Sequence, residues 1–352
     1  MKILTIIGAR PQFIKAASLS REIKKRNDID EIIVHTGQHF DANMSDVFFD
    51  EMQIPKPHYN LDINSLNHGT MTGRMMEEIE KILLTENPDW LLVYGDTNST
   101  LAGALAAKKL HIKVAHVEAG LRSFNMKMPE EVNRILTDRI SDVLFCPTQQ
   151  AVENLINEGF KNFNSLVVNV GDIMFDSALF YEDLACQPKG LIPENFILTT
   201  IHRAENTDDK VKLAHIFKEL DRINQTVPVI IPLHPRTKKK LKEYQIKTEV
   251  NIINPLGYLE MVWLIKNSNA IITDSGGLQK EAYFFKKQCF TLRDQTEWVE
   301  LLQDGCNQLI NVGNDEIATI ILNDYVADFD FSKKIYGEGN TSERILEILL
   351  EN

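Results

Sequence analysis

Three acidic residues in the first half of the chain lie at positions suited to proton transfer. Asp96 and Glu118 come just past the ends of apolar segments, and Glu130 opens a later helical stretch. Acids brought together in this way are what acid/base chemistry on a polyhydroxylated substrate requires. Structural roles stay open as alternatives. Asp96 can cap the following helix, and Glu118 can pair with Arg122. Glu130 can equally be a first-turn helix acid.

A glycine-rich turn in the second half of the chain is suited to binding an anion. The segment Asp274–Glu281 follows the apolar segment Ala270–Thr273 and leads into helix-forming residues. This order predicts a strand, a tight turn and a helix whose first N–H groups face a phosphate. Glu281, one turn into the helix, can accept ribose hydroxyls, although a surface acid after an ordinary turn is the alternative. The turn residues are Ser275, Gly276 and Gly277.

Basic residues follow other predicted strands. Arg10 and Lys15 lie in the turn and helix after the first strand, whereas His202, Arg203 and His234 follow strands of the second half. Such residues can bind a pyrophosphate, and His202 can protonate a departing phosphate oxygen. For Arg10 and Lys15 the alternative is a capping arginine and a solvated lysine.

The first turn does not have the glycine pattern of a dinucleotide site. Arg10 occupies the position at which a GxGxxG motif needs a glycine, so we expect no nicotinamide cofactor. His35 and His39 straddle a strand end and a glycine turn, which makes a zinc pair improbable. We therefore assign neither a cofactor nor a metal.

Composition and charge define the class of protein. The chain has 352 residues, of which 43% are hydrophobic and 25% charged, and this is typical of a soluble protein with two domains. The net charge of -12 argues against nucleic-acid or acidic-membrane partners. An anionic substrate must then be held by local basic residues. No apolar segment approaches membrane-spanning length, and we expect a cytoplasmic protein.

The cysteines also indicate a cytoplasmic protein. They are far apart and form no CxxC pair, and most lie in apolar surroundings. We expect buried free thiols in a reducing cytosol, with neither a disulfide framework nor a zinc site. These cysteines are Cys146, Cys186, Cys289 and Cys306.

The elements that must position these residues alternate along the chain. Strands at 3–7, 32–35, 90–94, 114–117 and 143–146 are separated by helical stretches, and a second alternation begins at 196–200. The pattern loosens at 171–194, where we place the hinge. The sequence therefore predicts an α/β protein of two Rossmann-like domains with a cleft between them. We expect an N-terminal domain at 1–172, joined by the C-terminal helix 340–352, and a C-terminal domain at 173–339.

These motifs, in this order and spacing, resemble the non-hydrolysing UDP-N-acetylhexosamine 2-epimerases over the full length of the chain. That family has the two-domain GT-B architecture of many glycosyltransferases. The motifs that carry the resemblance are Gly8–Lys15, Gly95–Thr97, His116–Leu121, Pro129–Glu131 with Asn133–Arg134, His202–Arg203 and Asp274–Glu281.

The resemblance implies inversion at C2 of a UDP sugar. UDP is eliminated to leave a 2-acetamidoglycal, and then returns as a proton is delivered to the other face. By family match, Asp96, Glu118 and Glu130 are the acid/base candidates, with Lys15 near them and His202 beside the departing phosphate. Arg10, His202 and the Ser-Gly-Gly turn at 275–277 would bind the pyrophosphate, and Glu281 the ribose. The family expectation for assembly is a homodimer.

Departures from the family pattern point to one branch. Enzymes acting on UDP-N-acetylglucosamine usually read GTRPE, HRRE and TERPE where this chain has GARPQ at 8–12, HRAE at 202–205 and TEWVE at 296–300. Ala204 replaces an arginine, which argues against the substrate-activated regulatory site of the bacterial enzymes. The set resembles the branch that epimerises UDP-2,3-diacetamido-2,3-dideoxy-glucuronic acid for O-antigen synthesis. Neutral Gln12 would lower repulsion toward the C6 carboxylate of that substrate.

Three other functions remain as alternatives at this point. An ordinary UDP-N-acetylglucosamine 2-epimerase is favoured if the turn differences are neutral. A GT-B glycosyltransferase would share the nucleotide site, although Asp96, Glu118 and Glu130 are more carboxylates than glycosyl transfer requires. A non-catalytic nucleotide-sugar sensor would tolerate loss of Glu118 or Glu130, and both are present.

Overall fold

The computed structural model describes residues 1–38, 53–190, 192–313, 316–326 and 329–352, and of Arg10 the backbone alone. His39 lies outside the described residues. Contacts within the chain divide it into unit 1, which is Met1–Leu179 with Ile335–Asn352, and unit 2, which is Phe180–Lys334. The predicted domain limits at 172/173 and 339/340 stay a prediction.

Unit 1 contains a seven-stranded parallel sheet in the order β3-β2-β1-β4-β5-β6-β7. A short 3₁₀ helix, Phe160–Asn162, precedes the last strand. The elements are β1 (Lys2–Ile7), α1 (Arg10–Lys24), β2 (Asp30–His35), β3 (Tyr59–Asn60), α2 (His68–Glu86), β4 (Trp90–Tyr94), α3 (Asn98–Lys109), β5 (Lys113–Val117), α4 (Pro129–Ile140), β6 (Val143–Cys146), α5 (Gln149–Asn157), β7 (Leu166–Asn169) and α6 (Ile173–Glu182), whose last residues, 180–182, belong to unit 2.

Unit 2 repeats this arrangement with six parallel strands in the order β10-β9-β8-β11-β12-β13. The elements are β8 (Ile197–Thr200), α7 (Ala204–Thr207), α8 (Lys210–Asn224), β9 (Val229–Pro232), α9 (Pro235–Tyr244), β10 (Asn251–Ile253), α10 (Tyr258–Asn267), β11 (Ala270–Thr273), α11 (Gly276–Phe284), β12 (Gln288–Thr291), α12 (Val299–Gln303), β13 (Asn307–Leu309) and α13 (Ile317–Asp324). The chain ends in α14 (Thr341–Glu351), which belongs to unit 1.

Both sheets reverse their strand order at one place, between β1 and β4 in unit 1 and between β8 and β11 in unit 2. The interior strands β4, β6 and β11 are buried along their whole length. They are apolar because helices cover both faces of a parallel sheet. Loops that leave the carboxyl ends at such a reversal diverge and make room for a ligand. The two parallel α/β sheets confirm the predicted fold class.

Several short elements differ from the expectation. The sequence did not predict β3, β7, β12 or β13, because each of these short strands includes a polar residue that interrupts the apolar run. The polar residues are Asn60, Asn169, Gln288 and Gln308. The segment that we assigned to a hinge contains α6. Its residues Ile173, Ala178 and Tyr181 are buried in the core. Turn-forming residues follow this helix and do not interrupt it.

The last helix, α14, is fixed to unit 1 by polar contacts. The Asp176 carboxylate accepts hydrogen bonds from the Thr341 N–H (3.0 Å) and the Ser342 N–H (2.7 Å), at the start of the helix. Arg344 donates to the carbonyl oxygens of Asn169 and Val170. An acid at a helix N-terminus satisfies N–H groups that have no partner within the helix.

The cysteine prediction holds for three of the residues. Cys146, Cys289 and Cys306 are buried free thiols, whereas Cys186 is free and exposed, contrary to the expectation. Cys186 lies just past α6, in a loop rich in polar residues. Within the described part of the chain, no helix is both long and apolar enough to span a membrane.

Gly120 and Gly73 provide a matched test of the unit 1 packing. Gly120 has φ = 78°, and a Cβ added there would lie 2.4 Å from the Ala151 carbonyl oxygen. Gly73 lies inside α2, and none of the described atoms comes within 4 Å of its added Cβ. We expect Gly120→Ala to lower the free energy of unfolding by about 2–4 kcal/mol. Gly73→Ala should raise it by about 0.5–1 kcal/mol.

Equilibrium urea unfolding of both variants, followed by circular dichroism, measures the difference. An unchanged midpoint for Gly120→Ala would show that this turn does not have the left-handed backbone described here.

Candidate active site

The carboxyl ends of β1 and β5 bring Lys15 and Glu118 together in unit 1. Lys15 projects from the second turn of α1, and its Nζ forms an ion pair with the Glu118 carboxylate. The side chains are only 12% and 13% exposed. Lys15 is therefore not the solvated lysine of the alternative interpretation, and the pair replaces the Glu118–Arg122 contact. A partly buried pair of this kind is less screened by water than a surface pair.

Glu118 has an unusual backbone. Its φ is 71°, in the left-handed region that non-glycine residues rarely adopt. The N–H groups of Glu118 and Ala119 both donate to the Phe145 carbonyl oxygen, at 3.1 and 3.0 Å. The turn after β5 is thus tied to β6, and it aims the Glu118 side chain toward Lys15. Backbone strain of this type is characteristic of functional positions.

Asp96 contacts α4, a helix that lies much later in the sequence. Arg134, on α4, forms an ion pair with the Asp96 carboxylate, and its Nη1 donates to Glu131 Oε2 at 2.5 Å. Burial disfavours the charge of Arg134, but these two acids outweigh it and raise its pKa. Thr97, not Asp96, caps α3 by accepting from the Thr100 N–H. The capping interpretation of Asp96 is therefore wrong.

The two acids at the start of α4 are in different environments. Glu130 is exposed in the first helical turn, as its structural alternative describes. Glu131 is fully buried and accepts hydrogen bonds from the Ser123 N–H, the Ser123 hydroxyl and the Phe124 N–H. Burial alone would raise the pKa of Glu131, but these donors and Arg134 lower it. Glu131 consequently fixes the loop that leads from β5 to α4.

Gln12 joins the turns after β1 and β4. It is buried, and its Oε1 accepts from the N–H groups of Gly8 (2.8 Å) and Ala9 (3.1 Å). Its Nε2 donates to the Tyr94 carbonyl oxygen (2.6 Å) and to threonine hydroxyls of the second turn. A carboxylate could not donate to that carbonyl, so the amide is matched to its surroundings. Gln12 holds the backbone at the strand-order reversal, a role that the sequence did not indicate.

The glycine-rich turn of unit 2 begins α11 as predicted. In the described part of the chain, the Ser275 side chain does not cap this helix. A Cβ added to Gly276 would lie 2.3 Å from Glu297 Oε1 and 3.6 Å from Arg203 Nη2. Glu297 is itself bound by Arg293 Nη1, 2.9 Å from Oε2. A carboxylate and two guanidinium groups therefore surround the helix N-terminus, where N–H groups favour negative charge.

Asp274 ties this turn to the neighbouring one. It is fully buried, and its carboxylate accepts from the N–H groups of His202 (3.1 Å) and Arg203 (3.0 Å) and from Asn206 Nδ2 (3.2 Å). Asp274 follows β11, and His202 and Arg203 follow β8. The predicted phosphate ligands of unit 2 are thus held together at the second strand-order reversal.

The two histidines of unit 2 lie side by side. The ring centroids of His202 and His234 are 5.5 Å apart. Partial desolvation, together with the charges of His202 and Arg236, lowers the pKa of His234. His234 Nδ1 accepts from the Arg236 N–H, which leaves Nε2 as its second polar atom. The two imidazoles, with the Arg203 guanidinium near the glycine turn, form a site suited to a diphosphate.

Glu281 lies one turn into α11, beyond the exposed Gly277. The Tyr258 hydroxyl contacts its Oε1 at 3.2 Å. Desolvation raises the pKa of Glu281 to about 7, against the opposing effects of Tyr258 and Lys280. It is therefore not the solvated surface acid of the alternative interpretation. A partly buried carboxyl group at this place can accept or share a proton with a sugar hydroxyl.

Sequence reasoning missed several residues of this region, and one signal could have found them. Glu131, Arg134 and Asp138 have the helical spacing that places side chains on one face of α4. Polar residues on the buried face of a helix need partners. The structure supplies these partners from the turns after β4 and β5.

Known proteins share both the sequence and the fold of this chain. The family model described as UDP-N-acetylglucosamine 2-epimerase matches residues 21–350. The chain belongs to this epimerase family. Its relatives include a UDP-2,3-diacetamido-2,3-dideoxy-D-glucuronate 2-epimerase of Pseudomonas aeruginosa, 57% identical over 351 residues and covering 99% of both chains. A UDP-N-acetylglucosamine 2-epimerase of Methanocaldococcus jannaschii is 44% identical over 367 residues, again covering 99% of both.

Solved structures of UDP-GlcNAc 2-epimerases agree with the epimerase fold over the whole chain. The enzyme of Methanocaldococcus jannaschii, in complex with UDP-GlcNAc and UDP, matches with a TM-score of 0.84 at 42% identity, covering 100% of both chains. The Neisseria meningitidis enzyme bound to UDP-GlcNAc matches with a TM-score of 0.86 at 32% identity, with the same coverage. The GT-B-like architecture and the assignment as a UDP-sugar 2-epimerase, an isomerase, are therefore confirmed.

The raised pKa of Glu281 predicts a pH dependence of the ligand-free protein. The ordinary pKa of a glutamate is 4.5, and that of folded Glu281 is about 7, so the folded state binds the proton more tightly. The stability contributed by this carboxyl group is complete below pH of about 4.5 and is lost as the pH rises through about 7. The urea midpoint of the wild type, relative to Glu281→Gln, should fall between pH of about 5 and about 8.

Glu249→Gln, at an exposed position of the same unit, is the control and should give a profile parallel to the wild type. Parallel profiles for Glu281→Gln and the wild type would contradict the shift.

Proposed function

We propose that this chain inverts C2 of UDP-2,3-diacetamido-2,3-dideoxy-α-D-glucuronic acid to give the mannuronic isomer, a precursor for O-antigen or other surface polysaccharide. The observation that carries the proposal is the 57% identity, along 99% of both chains, with the Pseudomonas aeruginosa enzyme of that name. The motifs GARPQ, HRAE and TEWVE, which depart from the pattern of UDP-N-acetylglucosamine enzymes, support the same branch.

The proposed reaction balances without a cofactor. The bond from C1 to the UDP oxygen breaks and UDP takes the electron pair, while a base removes the proton from C2. The C2–H electrons form the C1–C2 double bond of a 2-acetamidoglycal. UDP then adds back to C1, and an acid delivers a proton to the opposite face of C2. Because C2 is not adjacent to a carbonyl group, departure of UDP must develop positive charge at C1 and assist the proton transfer.

The proposed acid/base groups are the carboxylates of unit 1. Asp96, Glu118 and Glu130 would handle the protons at the two faces of C2. Lys15, paired with Glu118, would keep that carboxylate ionised and ready to accept a proton. The differing environments of exposed Glu130 and partly buried Glu118 support different roles for the two acids.

The proposed nucleotide site is the cluster at the strand-order reversal of unit 2. Ser275, Gly276 and Gly277 at the N-terminus of α11 would bind the diphosphate. Glu281 would accept the ribose hydroxyls. His202 would also donate a proton to the departing phosphate oxygen, because the imidazole lies beside the buried Asp274. The basic residues that complete this set in unit 2 are Arg203 and His234. The family resemblance also implies Arg10 as a pyrophosphate ligand.

Two further points belong to this proposal. The enzyme would work in the cytoplasm, as the sequence predicts, and as a homodimer, as the family resemblance implies. The second candidate substrate is UDP-N-acetylglucosamine, which the 44% identical Methanocaldococcus jannaschii relative acts on by its name. A glycosyltransferase would need an acceptor, and the set Asp96, Glu118 and Glu130 disfavours it.

Solvent isotope exchange distinguishes the two candidate substrates. The purified protein is incubated in deuterated water with each UDP sugar separately, and C2 is followed by proton NMR. We expect deuterium at C2 and a new manno isomer from the diacetamido glucuronate only, because elimination exposes C2 to a solvent-derived proton. Exchange with UDP-N-acetylglucosamine instead would assign the alternative, and exchange with neither would contradict both.

Amide variants test the proposed acid/base groups. Glu118→Gln and Glu130→Gln keep the side-chain shape but cannot transfer a proton, so we expect kcat to fall by about 10²–10⁴-fold. UDP affinity, measured by calorimetry, should stay near the wild-type value. Glu80→Gln, at an exposed position on α2, is the control and should be fully active. Near-normal turnover in either variant would remove that residue from proton transfer.

A further inference from the structure

A buried histidine of β5 lies beneath the candidate acids. His116 and Asp138 are both fully buried. His116 Nδ1 lies 2.7 Å from Asp138 Oδ1, and His116 Nε2 lies 2.7 Å from the Gly95 carbonyl oxygen. A carbonyl oxygen can only accept, so Nε2 must carry a hydrogen.

The second ring nitrogen faces an ionised acid. Asp138 Oδ2 accepts hydrogen bonds from Arg122 Nη1 (2.7 Å) and from the Gly120 N–H (3.2 Å). A carboxyl group that meets a guanidinium and a backbone N–H on one oxygen stays ionised. Its other oxygen therefore accepts from His116 Nδ1. Both ring nitrogens carry hydrogens, so His116 is an imidazolium cation.

The charges of this network compensate each other. The Nε and Nη2 atoms of Arg122 donate to the two oxygens of Glu158, at 2.6 and 2.8 Å. The groups that face His116 are thus Asp138 from α4 and the Gly95 carbonyl, with Arg122 and Glu158 behind Asp138. Two cations and two anions pair within the network, which makes a buried imidazolium sustainable.

The network joins the two turns that carry the candidate acids. Gly95 directly precedes Asp96, and Gly120 lies two positions after Glu118. Both Glu118 and Gly120 have left-handed backbones, with φ of 71° and 78°. A neutral histidine has one N–H and would lose either the Asp138 contact or the Gly95 contact. The cation keeps both contacts, so it links the Gly95 turn to Asp138 and, through Asp138, to Gly120.

We propose that His116, held as an imidazolium by Asp138, is a positioning residue that fixes the Asp96 turn relative to the Glu118 turn during epimerisation. The inference rests on the proposed function for its catalytic consequence, but the protonation state of the ring does not depend on it. Carboxylates that must act on a single carbon atom require this fixed spacing, since a displacement of about 1 Å can cost about 10²-fold in rate.

Nitrogen-15 NMR of the full chain, labelled at histidine, tests the ring itself. In the buffer of the epimerisation assay we expect one histidine with both ring nitrogens protonated, and its signals should vanish in His116→Gln. Exposed His111→Asn is the control, and it should leave those signals in place. A His116 ring with a single hydrogen in that buffer would overturn the proposal, whichever UDP sugar the enzyme accepts.

Kinetics of Asp138→Asn test the positioning role. This variant removes the charge that holds the imidazolium, so the ring should keep one hydrogen, and kcat for the UDP sugar that exchanges at C2 should fall about 10²-fold. KM and UDP affinity should change less than about threefold, because the nucleotide ligands proposed for unit 2 are untouched. Wild-type kcat in this variant would overturn the proposal.

His116→Gln, which keeps one donor, gives the second measurement if Asp138→Asn does not fold, and it should lose kcat to a similar extent. Failure of the proposed function would give a different result from failure of this inference. The wild type would then exchange deuterium into C2 of neither substrate, while the ring of His116 would still carry both hydrogens.

Discussion

The structure depends on one constraint: the diverging turns at each strand-order reversal must be held in place. Both units meet this constraint in the same way. Backbone groups at the carboxyl ends of the strands have no ladder partner there. In unit 1 the amide of Gln12 satisfies the turn after β1 and the turn after β4 together. In unit 2 the carboxylate of Asp274, after β11, accepts from the turn after β8. In each unit a buried polar side chain thus joins turns that carry candidate ligands.

The choice of group in each position matches the chemistry around it. Gln12 faces N–H groups on one side and a carbonyl oxygen on the other, so it needs an acceptor and a donor. The described partners of Asp274 are donors, and a carboxylate suits them. The role of Gln12 differs from the one suggested by sequence, in which its neutrality reduced repulsion toward a substrate carboxylate. Its contacts are with the protein backbone.

Much of this arrangement could be predicted from the sequence, because apolar runs and turn glycines are local signals. The predicted strands Trp90–Tyr94 and Ala270–Thr273 have the observed bounds. Side-chain pairing was not predictable in the same way. Lys15 and Glu118 are distant in sequence and meet only through the parallel order of β1, β4 and β5. The buried role of Glu131, next to exposed Glu130, depends on which face α4 turns inward, and that is set by tertiary packing.

The left-handed backbone of Glu118 has an evolutionary consequence. Asparagine and glycine adopt that conformation more easily than glutamate does, so at this position either would relieve strain and favour the folded state. Under the role in proton transfer proposed for Glu118, mutational drift toward foldability and selection for epimerase activity act in opposite directions on this residue. We expect a family member with asparagine or glycine at this position to bind the nucleotide sugar without catalysing epimerisation. Its folded state should be more stable.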